Sequence, residues 1–172
     1  MVAMPTENST GCVAFLADEM LGRLARHLRM AGIDCLHVRS LGVERIREAA
    51  RAERRIVLTR SRRLAEDPEL ARVLLLESGN PYDQMVEVCR AFGIDPTAAA
   101  LSRCSLCNEP LVCAPKAEVA AEVPPRAYAA RDEFWRCPRC RRIYWGGSHA
   151  REILDRFERI RSAAVTGARS GS

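Results

Sequence analysis

The chain has 172 residues, 48% of them hydrophobic, and a modest formal charge of +5 from 27 Lys and Arg against 22 Asp and Glu. That is enough for one good core and a small satellite domain. It excludes an intrinsically disordered chain, and no apolar window approaches the ~20 residues that span a bilayer. The mild basic excess fits a polyanionic partner without demanding one. The N-terminus carries no basic segment followed by a long apolar run, so the expected location is cytoplasmic. In that compartment eight cysteines are more often metal ligands or buried thiols than disulfides.

After a flexible tail over residues 1–11, Cys12 to Ala17 is an apolar run of strand length that ends on Asp18. Stepping about 100° per residue from Glu19 puts Met20, Leu21, Leu24, Ala25, Leu28 and Ala31 in one stripe. Arg23, Arg26 and Arg29 share the opposite side. Gly32 stops this helix, Asp34 to Val38 reads as a second strand, and Val43 to Glu53 as a second helix. Arg55 to Thr59 is the clearest strand, followed by a polar turn, Thr59-Arg60-Ser61, and a brief helix over 62–65. Val73 to Leu76 makes a fourth strand and Tyr82 to Phe92 a helix closed by Gly93. Buried strands alternating with helices imply a parallel sheet covered on both faces, here over residues 12–100. Residues 94–101, with Asp95-Pro96 and three alanines, mark a linker.

Ligands of such sheets bind beyond the carboxyl ends of the strands. The candidates there are Asp18 after the first strand, Glu44 after the second, Ser61 after the third, and Glu77 with Asp83 after the fourth. Carboxylates that meet at one edge repel one another unless a hard divalent cation, Mg²⁺ or Mn²⁺, lies between them. Each also has a plain structural role: Asp18 as a helix cap, Glu44 and Asp83 as favourable charges in a first helical turn.

The second region, residues 101–147, carries the most specific signal. Cys104-Ser105-Leu106-Cys107 and Cys137-Pro138-Arg139-Cys140 are two CxxC knuckles with 29 residues between them. Two such turns close a tetrahedral shell around one structural zinc, with no position left for water. The proline-rich insert between them suits the hairpins of a zinc ribbon. Arg103, Arg136, Arg139, Arg141 and Arg142 flank the knuckles and either offset the thiolate charge or, with Phe134, Trp135, Tyr144 and Trp145, grip nucleic acid. The aromatics read equally well as the ribbon's own core. Cys113 completes no knuckle; Cys12, Cys35 and Cys89 read as buried thiols, and His27, His37 and His149 as isolated. A helix over residues 148–163, with Ile153, Leu154, Phe157 and Ile160 as its stripe, is expected to pack back, ahead of a disordered tail over 164–172.

Four stretches in order resemble the Mut-seven C-terminal RNase domain family: Phe15 to Arg26, Ile56 to Arg60, Arg103 to Asn108, and Cys137 to Cys140 with Ile143 to His149. The resemblance implies a PIN-like α/β nuclease fold with a zinc ribbon and a metal-dependent ribonuclease activity. It makes Asp18 the first acidic position and Glu44 the second. After Leu-Thr-Arg the family pattern has an aspartate, and here Ser61 stands in its place. The hydroxyl brings no charge to a metal, so the alternative is an RNA-binding relative with weak or lost catalysis. The implied partner is RNA, tRNA and ribosomal RNA included, with Arg23, Arg26, Arg60, Arg139, Arg141 and Arg142 to pair its phosphates.

Overall fold

The computed structural model describes residues 13–39 and 42–166. The expected tail over residues 1–11, Cys12, and residues 167–172 of the C-terminal tail lie outside the described residues.

Four parallel strands, β1 (Phe15–Ala17), β2 (Cys35–His37), β3 (Ile56–Thr59) and β4 (Val73–Leu75), form a sheet in the order β2-β1-β3-β4. The central strands have no solvent-facing side, and so lack the alternation of polar residues that an exposed sheet shows. Phe15, Ala17, Ile56 and Leu58 point to one face, where α1 (Gly22–Met30), α4 (Pro81–Phe92) and α7 (Ser148–Thr166) supply Leu24, Leu28, Met85, Val88, Phe157 and Ile160. Leu16 and Val57 point to the other, against Ile46 and Ala50 of α2 (Val43–Ala52) and Leu64 of α3 (Arg62–Ala65). The strand period of two thus separates two half-cores.

The chain leaves β1 towards β2 and leaves β3 towards β4, so the connections diverge between the adjacent strands β1 and β3. The crevice outside their carboxyl ends is the switch point at which such sheets bind ligands.

Beyond the sheet, β5 (Val112–Ala114), β6 (Phe134–Arg136) and β7 (Ile143–Trp145) make an antiparallel sheet. One face of it packs Ala114, Phe134, Ile143 and Trp145 with Val119, Val123 and Tyr128. The insert between knuckles is therefore not hairpins alone. It folds partly into two short helices, α5 (Lys116–Val119) and α6 (Pro125–Ala130), each preceded by a proline whose fixed φ suits a helix start.

Three local expectations differ from the structure. The segment after Asp18 opens with a 3-10 turn, Glu19–Leu21, before α1 begins at Gly22. That tighter winding puts the 100° stepping out of phase, and Met20 is 69% exposed instead of lying in the stripe. Residues 94–101 are no loose linker: Ile94 and Ala100 pack on the core, and the Leu101 N–H donates to the Met30 carbonyl at 2.6 Å. Gly32, at φ +79°, permits this approach, since a Cβ there would sit 2.0 Å from the Ala99 carbonyl oxygen. Finally, α7 continues to Thr166, with Ala164 buried against the core.

Candidate functional site

Asp18 stands at the carboxyl end of β1, at the switch point, and is only 5% exposed. Its Oδ1 accepts from the Met20 N–H at 3.0 Å, capping the 3-10 turn, and its Oδ2 accepts from the Thr59 hydroxyl at the end of β3. Thr59 is fully buried, and its Oγ1 in turn accepts from the Ser61 N–H at 2.9 Å. This relay fixes the direction of the carboxylate, because a hydroxyl that accepts one bond has its single proton left for the other. Ser61, at the position of the family aspartate, caps α3 with its Oγ 3.4 Å from the Leu64 nitrogen. His37, level with Ala17 in the sheet, places Nε2 3.2 Å from the Glu19 carbonyl and packs against Gly22.

The other acidic candidates are engaged elsewhere. Glu44 is exposed in the first turn of α2 and pairs with Arg47 at 2.8 Å, part of a network with Asp67 and Glu69. Asp83 accepts from the Ser78 hydroxyl at 3.2 Å in the first turn of α4. Glu77 is exposed, and its N–H donates to Glu87 at 2.9 Å. Among the described residues, the structure brings no three of these carboxylates together. Arg60 is exposed and its guanidinium lies over Gly79, on the loop after β4.

The four knuckle cysteines do converge. Cys104, Cys107, Cys137 and Cys140 place their Sγ atoms within 4.8 Å of one another, and Cys104 and Cys140 are 3.7 Å apart. A tetrahedral zinc with bonds of about 2.3 Å separates its sulfurs by about 3.8 Å, whereas a disulfide needs about 2.05 Å. The sulfurs could hold one metal ion, and the spacing is compatible with structural zinc. Sulfur also receives N–H groups in each knuckle, from Cys107 to Cys104 and from Cys140 to Cys137, both at 3.4 Å. Burial alone would push the Cys104 thiol up, but the Tyr144 hydroxyl at 3.1 Å and backbone N–H groups bring it down to about 7. Cys113 is exposed on β5, and burial pushes Cys35 and Cys89 up to about 12, which keeps them inert thiols.

With this crevice and this cysteine centre in place, the model of the Mut7-C RNAse domain family matches residues 13–157, most of the chain. The chain belongs to that family. No curated protein and no solved structure matches it.

In this Mut7-C domain the cysteine centre is tied to the sheet. Arg29 does not sit on a solvated face with Arg23 and Arg26: its guanidinium donates to the Cys35 carbonyl at 2.7 Å and to the Leu106 carbonyl, inside the first knuckle, at 2.8 Å. Asn108, at φ +68°, accepts from the Cys35 N–H at 3.1 Å and donates to Asp34 at 2.8 Å. Burial alone would raise the Asp34 carboxyl, but hydrogen bonds from Arg55 and Asn108 and the charges of Arg55 and Arg103 hold it below its ordinary value. Arg103 and Arg136 are likewise structural, Arg136 through Glu122 at 2.8 Å. Arg139, Arg141 and Arg142 are exposed. Phe134 and Trp145 belong to the ribbon core, and Tyr144 faces the sulfurs.

The sequence reading missed one further constellation of the Mut7-C domain. Three arginines, Arg23 and Arg26 of α1 and Arg156 of α7, meet His27, Tyr82 and His149 around one cavity. Burial lowers the His27 imidazole from its ordinary 6.5, and Arg156, Arg26 and Arg23 lower it further. Its local signal is faint: His149, Ile153 and Arg156 recur at helical spacing beside the buried stripe of α7.

Proposed function

We propose that this protein is a metal-dependent ribonuclease that hydrolyses RNA phosphodiester bonds at the crevice between β1 and β3. The observation that carries the reading is Asp18, a buried carboxylate at the switch point, oriented by the Thr59 hydroxyl in a chain that belongs to an RNase family. Asp18 would hold an Mg²⁺ or Mn²⁺ ion of the kind that takes one protein carboxylate and otherwise water and substrate phosphate, rather than a cage of carboxylates. Such an ion, when bound, supplies charge neutralisation and acidifies water. The chain's own part is to hold the carboxylate still through the Ser61, Thr59, Asp18 relay, and to bind the phosphate backbone with Arg23, Arg26 and Arg60. Glu44 joins the site only by giving up Arg47. Cys104, Cys107, Cys137 and Cys140 would hold one zinc whose role is structural.

Cleavage of mixed RNAs is expected to require added Mn²⁺ or Mg²⁺ and to fall about a hundredfold or more in Asp18→Asn. The metal-free arm uses treated buffer, since a strong chelator also strips the thiolate centre. Full activity without divalent metal, or in Asp18→Asn, sinks the reading.

A second reading, RNA binding without cleavage, is favoured by one observation: both Asp18 oxygens already accept hydrogen bonds, and Ser61 spends its hydroxyl on a helix cap. Ser61→Asp separates the two, because aspartate caps a helix as well as serine does and so leaves α3 intact. Cleavage that appears only in that variant selects the binding reading for the natural chain.

The zinc assignment has its own check. Metal analysis is expected to find one equivalent of zinc, and Cys137→Ser to unfold the ribbon and, through Arg29 and Asn108, to loosen the β2 edge in hydrogen exchange. Protein purified under reducing conditions without any bound metal, yet fully folded, contradicts it.

A further inference from the structure

The cavity between α1, the start of α4 and α7 has a volume of about 350 Å³, in the range of small-ligand pockets. Its charges are of one sign. Among the described residues, none of Arg23, Arg26 and Arg156 takes part in a salt bridge. One member, Arg156, is also held in place. The Arg156 guanidinium lies over the Tyr82 ring, 4.9 Å from its centroid, and donates to the Tyr82 hydroxyl. Tyr82 in turn stacks on His27 with centroids 4.7 Å apart. Met30, Ile153 and Phe157 give the cavity an apolar floor, which strengthens any electrostatic contact made above it. His27 adds an unmet demand: its Nδ1 is the one buried side-chain nitrogen or oxygen without a hydrogen-bond partner among the described residues.

Three guanidiniums that share a cavity without a salt-bridge partner repel one another, and an anion in the cavity relieves that repulsion. Guanidiniums suit phosphate best, through paired N–H donors. We propose that this cavity binds a phosphate monoester, the terminal phosphate of a nucleic-acid strand; the strand assignment rests on the ribonuclease reading above, while the phosphate site itself does not. A monoester carries nearly two charges and three free oxygens, enough to engage arginines from two helices at once. An internal diester has one charge and only two free oxygens, so it engages fewer of these arginines at once. Arg23 lies in the first turn of α1, five residues beyond Asp18, so a strand end seated here runs beside the crevice.

Isothermal titration with adenosine 5′-monophosphate, adenosine 3′-monophosphate, adenosine and inorganic phosphate tests the site with ligands that hold no phosphodiester, so the ribonuclease reading can fail without touching the result. One mononucleotide per chain is expected, with adenosine binding roughly tenfold weaker or worse and inorganic phosphate competing. Arg26→Gln and Arg156→Gln each cost about tenfold, while Arg131→Gln, at an exposed arginine outside the cavity, costs nothing. Arg26 is exposed on α1, so its variant is expected to keep the wild-type melting temperature even if Arg156→Gln does not. Adenosine binding as well as its monophosphates, no binding at all, or undiminished binding in Arg26→Gln overturns the site. Oligoribonucleotides of one sequence, phosphorylated at the 5′ end, at the 3′ end or at neither, then test the strand assignment in Asp18→Asn protein. A gain from one terminal phosphate is expected, and equal affinity for all three overturns that assignment.

Discussion

Two clefts on this molecule are lined by arginines, and they are electrostatic opposites. The cavity on α1 and α7 gathers Arg23, Arg26 and Arg156 without an acidic partner among the described residues. The second cleft, about 400 Å³ beside α2, gathers Arg47, Arg51, Arg54, Arg55 and Arg72, more guanidiniums than the first. There Arg47 pairs with Glu44, Asp67 and Glu69, Arg51 with Glu69, and Arg55 with Asp34 and Glu53. Three of these five, Arg47, Arg51 and Arg55, are spent on carboxylates, whereas all three in the first cavity are left to meet an outside anion. Counting basic residues does not distinguish them; the positions of the carboxylates do.

The sharpest way to break this contrast is at Arg55, whose side chain is 7% exposed and bridges the Phe15 carbonyl, Asp34 and Glu53. Arg55→Met is expected to destabilise the protein by about 3 kcal/mol in chemical denaturation, at the low end for a broken buried pair because Asp34 keeps Asn108 and Arg103. RNA affinity and its salt dependence are expected to stay as they were. A loss of RNA binding in protein that remains folded would erase the distinction between the clefts.

The opposite change removes charge from the other side. Arg23→Gln with Arg26→Gln alters two exposed, unpaired residues of a regular helix and is expected to move stability by no more than about 0.5 kcal/mol. RNA affinity should fall, and the slope of log affinity against log salt should shrink by about 1.4, the value for two phosphate contacts on a single strand. An unchanged slope would mean that these arginines are only a solvated face.

How much of this was legible in the chain follows from how local each signal is. Each strand, each CxxC knuckle and the cap at Asp18 depend on residues adjacent in sequence, and the structure has all of them. The 3-10 turn at Met20 was not legible, because one tighter turn at the capping aspartate leaves no mark in hydrophobic spacing. Arg29 looks like Arg23 and Arg26 in sequence because helical position says which way a side chain points, not that a carbonyl of the first cysteine knuckle, 77 residues later, will be waiting there. The cavity joins residues 23–30, 82 and 149–157, and Glu44 met Arg47 and Asp67 instead of a metal partner. Such pairings are set by the packing of helices on the sheet, which periodicity fixes only as to face.

The smallest expected effect is also the most direct report on the cavity's potential. His27 lies among Arg23 and Arg26 of its own helix, Tyr82 of α4, and His149 and Arg156 of α7. Burial first, then Arg156, Arg26 and Arg23, hold its pKa below the ordinary 6.5. Between that folded value and 6.5 the unfolded chain binds the extra proton, so stability rises with pH through this window and is lost as pH falls through it. Above 6.5 the residue contributes nothing to the slope. His27→Gln should therefore flatten the stability profile on the acid side of neutrality. Arg156→Gln, by removing the guanidinium that opposes its protonation most, should raise the His27 pKa in a proton NMR titration, whereas Arg47→Gln in the other cleft should leave it unmoved. Adenosine monophosphate in the cavity should also raise it, since a phosphate favours the imidazolium that the arginines oppose. A His27 that responds to Arg47 as strongly as to Arg156 would show that the protein's overall charge, and not the unpaired trio, sets the field there.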